Sequence, residues 1–320
     1  MRRYRWFLLA MVLANVASEM YFSLLAVYLA QLGAGVGQVG LVFSLAAIVP
    51  LALQIFGGWL SDSIGRLRTI AIGAAVASAG YVLLPLAPRW QWAILALAVE
   101  YVSGSMVGPS FSAFIAEQSS EEMRGRVFGV SKSIYLTVAV IGPVLGWFLA
   151  QRYGFRLMLA AAAGLYLTAA VLRVWMATAL RFNGGRAAER PTLRSLRASL
   201  GSMFAMLAAG GLATWLLITD GVRDIAYGLC FNLEPLYMSQ VGSLNAQQIG
   251  ALNSTRGIGL VVASLLAGWL SDRLGERRVI LTALILQCAG LILFVRTTAF
   301  AGFAAAVVVQ GLGFGAMIPA

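Results

Sequence analysis

Ten stretches of this chain of 320 residues are apolar for long enough to cross the hydrocarbon core of a bilayer. They run over about 6–32, 37–60, 68–87, 91–116, 127–150, 155–180, 211–239, 246–270, 278–296 and 300–320. A spanning helix needs roughly 20 predominantly apolar residues, because lipid offers no partner for an unpaired backbone N–H or C=O. Charged residues make up 11% of the chain and hydrophobic ones 60%, with a mean hydropathy of +0.85. Soluble domains are about 25% charged, so a globule of this composition could not cover its surface. The chain reads as an all-α polytopic membrane protein with about ten transmembrane helices. The first run follows Arg2, Arg3 and Arg5 as a signal peptide would, but it continues to about Leu32, too long for a signal h-region.

The formal net charge of +11 raises the question of nucleic acid, yet the arginines form no continuous block. They sit at the ends of the apolar runs. One set of loops holds Arg2, Arg3, Arg5, Arg66, Arg68, Arg124, Arg126, Lys132, Arg181, Arg186, Arg190, Arg194, Arg197, Arg273, Arg277 and Arg278. The opposite set holds only Arg89, Arg152, Arg156 and Arg296. By the positive-inside rule the first set is cytoplasmic, with the N-terminus and the 183–210 linker. The partner is then the lipid bilayer, in a bacterial inner membrane, and not nucleic acid. Histidine is absent, and Cys230 and Cys288 lie in apolar segments, which excludes a histidine metal site or triad. No metal or cofactor is implied, and proton chemistry falls to carboxylates.

The linker carries Gly184, Gly185 and Pro191 among its arginines, and from Thr192 to Ala209 it has the pattern of an amphipathic surface helix. A single helix over 192–239 would be about 70 Å long, so a break is expected at Gly210-Gly211.

An internal repeat organises the rest. Gly58-Trp59-Leu60-Ser61-Asp62 recurs as Gly268-Trp269-Leu270-Ser271-Asp272. At the same offset Gly65 meets Gly275, Arg68 meets Arg278, Ile70 meets Ile280, Ala79-Gly80 meets Ala289-Gly290 and Pro109 meets Pro319. Two copies in one orientation are a known transporter architecture. The expected division is an N-terminal six-helix half over 1–182, a linker over 183–210 and a partial C-terminal half over 211–320. The second copy stops at Ala320, the counterpart of Ser110, so the chain is expected to be a fragment lacking its last two helices.

The segment Gly58 to Arg68 resembles the G-x-L-x-D-x-x-G-R-x-R loop of the major facilitator superfamily, which joins the second and third helices on the cytoplasmic side. The copy at Gly268 departs from it by placing Glu276 where the pattern has arginine. The resemblance implies a latch built from Gly58, Asp62, Gly65, Arg66 and Arg68, and from Gly268, Asp272, Gly275, Arg277 and Arg278. Close helix approach would explain Gly58 and Gly268, and a tight turn Gly65 and Gly275. A plainer reading is a charged loop obeying the positive-inside rule. Gly142-Pro143-Val144-Leu145-Gly146 resembles part of an exporter motif in helix five, with Val138 and Trp147 where the fuller pattern has glycine; a kink and a packing contact would also explain it. Drug–proton antiporters of the family often carry an arginine four residues before a glycine in helix four. Here Glu100 precedes Gly104, so that relay is not carried over.

Charge inside a spanning helix costs roughly 2.5–3.5 kcal/mol on the insertion scale and marks function by default. Asn15, Glu19 and Ser23 form one stripe at i, i+4, i+8, and Asp220, Arg223 and Asp224 share a face of the seventh segment. The latter could equally be a self-neutralised cluster, and Glu19 a structural hydrogen-bond donor or acceptor. Glu100 and Gln310 are repeat counterparts. In the resembling family, helices one, four, seven and ten line the central cavity, which gathers these residues there. Arg256 needs a partner, with Asp224 and Glu234 nearest in depth, whereas Arg173 is close enough to the cytoplasmic end to snorkel. Tyr21, Phe22, Trp215 and Tyr227 would give the cavity a greasy wall. The expected function is alternating-access transport of a small molecule by a monomer. Proton-coupled efflux of amphipathic compounds comes first, nutrient uptake second, and a non-transporting receptor or assembly protein on the same fold third.

Overall fold

The structure, a computed structural model, describes residues 5–118, 121–179 and 192–317. Every element among them is helical. The first apolar segment forms α1 (Arg5–Phe22) and α2 (Leu25–Gln31), and the next five form α3 (Val36–Ile64), α4 (Arg66–Leu86), α5 (Trp90–Gln118), α6 (Glu121–Tyr153) and α7 (Phe155–Ala179). The linker helix is α8 (Leu193–Ala208). Then come α9 (Leu212–Gln240), α10 (Ala246–Leu274), α11 (Glu276–Arg296) and α12 (Phe300–Met317).

Each of the ten apolar segments therefore falls in a helix, but they are not equal as spans. Seven helices among the described residues are long and apolar enough to cross a membrane, and α1 with α2 makes an eighth if the bent pair is one span. In α3 the apolar stretch is Val36–Pro50, shorter than a span. Helix α9 carries Asp220, Arg223, Asp224 and Glu234 within 29 residues, which dilutes its hydropathy.

The repeat is visible in the backbone itself. Helices α3, α4 and α5 begin at residues 36, 66 and 90, and α10, α11 and α12 begin at residues 246, 276 and 300, a constant offset of 210. At the start of α3 the Gly35 amide donates to Gln38 Oε1 at 2.8 Å, and at the start of α10 the Asn245 amide donates to Gln248 Oε1 at 3.0 Å. Gly65 and Gly275 both join their helices with positive φ, 99° and 84°, a region costly for any residue with a Cβ. Packing repeats as well. Gly80 abuts the Ala96 carbonyl and the Glu100 backbone, and Gly290 abuts the Ala306 carbonyl and Gln310.

Two places differ from the sequence reading. The first segment is bent by 50° between α1 and α2, at Ser23-Leu24. Neither glycine nor proline is present there; the Leu24 amide closes a tight turn on the Tyr21 carbonyl at 2.9 Å. Gly58 and Gly268 do not mediate close approach, since a methyl group at either would meet nothing within 4 Å. Its neighbour Gly57 does so instead, packed on the Ser105 backbone of α5. The expected break does occur at Gly210-Gly211, both of which have positive φ.

The described chain groups into two compact units. One, from 1–14, 29–129 and 163–233, is centred on Phe7, whose ring stacks on Phe111 at 4.2 Å and packs against Phe114. The other, from 15–28, 130–162 and 234–320, holds an aromatic cluster of Tyr237, Phe294 and Phe303. This second unit mixes segments of both sequence copies. Trp147 of α6 fills the space left by Gly250 of α10, and two turns along Gly257 meets the Ala139 carbonyl.

Candidate functional site

Asn15, Glu19 and Ser23 lie on α1 and the turn after it, as their spacing requires. Asn15 and Glu19 are half-buried, and Ser23 is buried. The backbone of α6 comes close here because Gly142 and Gly146 have no side chains. A methyl at Gly142 would overlap Glu19 Cβ, and one at Gly146 would overlap the Met20 carbonyl oxygen. Pro143 lies between them inside α6, so one backbone donor of that turn is missing by constitution. Tyr135, two turns before Gly142 on α6, is within electrostatic reach of Glu19. The export-like segment and the acid of the polar stripe are thus one contact.

A second polar group joins α9, α10 and α12. Glu234 pairs with the Arg256 guanidinium through Oε2, and its Oε1 accepts from Gln310 Nε2 at 2.9 Å. Glu234 is 4% exposed and Gln310 1%. Of the two partners that depth allowed for Arg256, Glu234 meets it, and the Asp224 side chain lies outside the described residues. The hydrogen bond from Gln310 has no signal in the sequence beyond the matching depth of Arg256 and Gln310, each ten residues past the start of its helix, α10 and α12.

At the other end of the first copy, Arg66 gathers the loop. Its Nε and Nη2 donate to Glu117 Oε1 of α5 at 3.0 and 2.8 Å, its Nη1 donates to Ser61 Oγ at 3.0 Å, and Asp62 completes an ion pair. The second copy cannot build this. Glu276 occupies the place of Arg66, so Asp272 has a like charge four residues on, and Asp272, Arg277 and Arg278 are exposed. Gly58, Gly65 and Arg68 lie in the same loop of the first copy, with Arg68 exposed, and Gly268 and Gly275 in that of the second.

The remaining expectations divide. Glu100 is buried against α4 at Gly80. Arg173 does not snorkel, because side chains on a helix lean toward its N-terminus, which turns this one inward. Its Cζ stands 5.8 Å from the Tyr166 ring, and the residue is 6% exposed. Tyr21 cannot line a cavity because it is fully buried, whereas Phe22 and Trp215 are exposed. The side chains of Asp220, Arg223, Asp224, Tyr227, Arg124, Arg126 and Lys132 lie outside the described residues, as do Arg2, Arg3, Arg181, Arg186 and Arg190. Among the described residues no group of three His, Cys, Asp or Glu could hold a metal ion.

The family model described as Major Facilitator Superfamily matches residues 7–223 and 221–320. The chain belongs to the Major Facilitator Superfamily. Within the superfamily it is similar to the multidrug resistance protein MdtG of Citrobacter koseri, 27% identical over 86% of this chain and 68% of that protein. It is also similar to a Na(+), Li(+), K(+)/H(+) antiporter of Planococcus maritimus, 30% identical over 52% of this chain and 39% of that one. Among solved structures, a peptide transporter POT superposes with a TM-score of 0.72 at 17% identity, over 98% of this chain and 80% of that chain. That likeness shows the superfamily's fold. The relatives and fold neighbours are transporters, not enzymes, and the chain is an integral multi-pass membrane protein.

Proposed function

We propose that this superfamily member exports amphipathic, drug-like compounds by alternating access, driven by protons. The observation that carries the reading is the contact of Glu19 with Gly142. An acid on a half-buried polar stripe is held against the one segment that resembles an exporter motif. A carboxyl group in that position can bind a proton on one side and release it on the other. The multidrug resistance relative supports the direction of transport. Arg256, already paired with Glu234, argues against an anionic nutrient, which would need a free cation.

In this reading α3 and α9 also span, giving ten membrane helices in two halves, 1–182 and 211–320, joined by the linker at 183–210. The N-terminus and that linker are cytoplasmic, and one chain is the working unit. Asn15, Glu19, Asp220, Arg223 and Asp224 serve substrate and proton. The bonds from Arg66 to Asp62 and Glu117 hold the cytoplasmic latch.

The test is ethidium retention in cells with and without the gene. Cells making the protein are expected to hold less dye, and Glu19→Gln to lose export on the order of tenfold, the scale of a coupling of 1–3 kcal/mol. Dye levels that are the same in all three strains would rule out proton-driven export through Glu19.

A further inference from the structure

Helices α4, α5 and α7 bury an acid, a phenol and an arginine together, and none of these helices contributes to the stripe on α1 or to the group at Glu234. Glu100 on α5 is 5% exposed, Tyr166 on α7 is 3% and Arg173 on α7 is 6%. Gly80 of α4 lets α5 approach until its position abuts the Glu100 backbone. Beside it Tyr81 stacks on Tyr166, with ring centroids 4.0 Å apart and planes 13° from parallel. Tyr166 is within electrostatic reach of both Glu100 and Arg173, and Ser103 is near its hydroxyl. Tyr101, next along α5, senses the same carboxyl group. Helix α3 meets α5 through Gly57 and the Ser105 backbone and brings no charge there.

The two copies treat this position differently. In the second, the glycine cradle at Gly290 holds Gln310, a neutral amide spent on Glu234, whose other oxygen is spent on Arg256. In the first, the cradle holds an acid. A buried carboxylate must keep a counter-charge or take a proton. Arginine holds its charge at any working pH, while a phenol can donate to a carboxylate or accept from a guanidinium. The acid is therefore the member that can change state, and the phenol is placed to follow it.

We propose that Glu100, Tyr166 and Arg173 form a proton-binding site in the first copy, with Glu100 as the acceptor, the Tyr166 phenol within its electrostatic reach and Arg173 as the fixed charge. On uptake the proton bonds to a Glu100 carboxylate oxygen and the site passes from neutral to a net charge of +1; release reverses this. A charge that two conformations solvate unequally shifts the balance between them. The role in transport rests on the proton-coupled reading above. Proton binding itself does not.

The test is infrared titration of the full chain in lipid nanodiscs, following the protonated-carboxyl absorption against pH. Glu100→Gln is expected to remove the amplitude of one titrating carboxyl group, and Glu19→Gln to leave that component in place. Tyr166→Phe keeps the amplitude and moves its midpoint by about one pH unit, the scale of a lost polar neighbour of a buried charge. If Glu100→Gln does not fold, Glu100→Asp must keep the amplitude with a displaced midpoint. A titrating amplitude unchanged in Glu100→Gln, or a midpoint unchanged in Tyr166→Phe or Glu100→Asp, overturns the site. A protein that titrates as proposed but does not export ethidium overturns the transport reading alone.

Discussion

Gly146→Val is expected to separate α1 from α6 and to abolish export, lowering folded yield as well. The residue that a Cβ would strike is the Met20 carbonyl, part of a helix backbone. A flexible side chain could swing aside, but a backbone oxygen moves only with its helix. Small residues at such crossings allow the van der Waals packing on which helix association in lipid depends. Overpacking of this kind costs about 1–3 kcal/mol, occasionally more. The shift would also carry Glu19 away from Gly142, so whatever folded protein remains should export poorly. Gly164→Val on α7 is the control, because a Cβ there meets nothing within 4 Å. Thermal unfolding and ethidium export of the two variants decide the matter. Gly146→Val behaving like Gly164→Val would mean that the contact is dispensable.

The second large effect concerns the buried ion pair. Arg256→Met should destabilise the protein by roughly 3–5 kcal/mol, because it leaves the Glu234 carboxylate with Gln310 as its partner among the described residues. Glu234→Gln combined with Arg256→Met removes both charges and should recover more than half of that loss. Buried pairs can often be replaced together at little cost even where breaking one is severe. A double-mutant cycle on unfolding midpoints in detergent reads the coupling. Purely additive losses would show that the two side chains act independently.

Much of this architecture is legible in the sequence. The repeat of Gly58 to Asp62 at Gly268 to Asp272 foretold helices that start 210 residues apart, and Gly210-Gly211 foretold the break after α8. Local chemistry determines such features, so the sequence displays them. The bend at Ser23-Leu24 had no such signal. It lies just past the point where Gly146 brings α6 onto Met20, a contact between residues far apart in the chain. The buried place of Arg173 depends on the direction in which a helical side chain leans, which distance to the membrane edge does not give. Tyr21 and Phe22 are adjacent and equally aromatic, yet one is fully buried and the other exposed. Only the rotation of α1 against its neighbours separates them. For the site, the stripe and the acids were found by spacing and depth. The way Gln310 completes the Glu234 pair needed the packing of three helices.

Alternating access in this chain requires two copies of one helical unit set in the membrane with the same orientation. Cysteine labelling tests this directly in a chain whose Cys230 and Cys288 have been replaced by serine. Arg68→Cys and Arg278→Cys are repeat counterparts at exposed positions, as are Arg89→Cys and Ala299→Cys. An impermeant maleimide is expected to reach the first pair only from the cytoplasmic side and the second pair only from outside. Labelling of Arg68→Cys and Arg278→Cys from opposite sides would contradict the shared orientation.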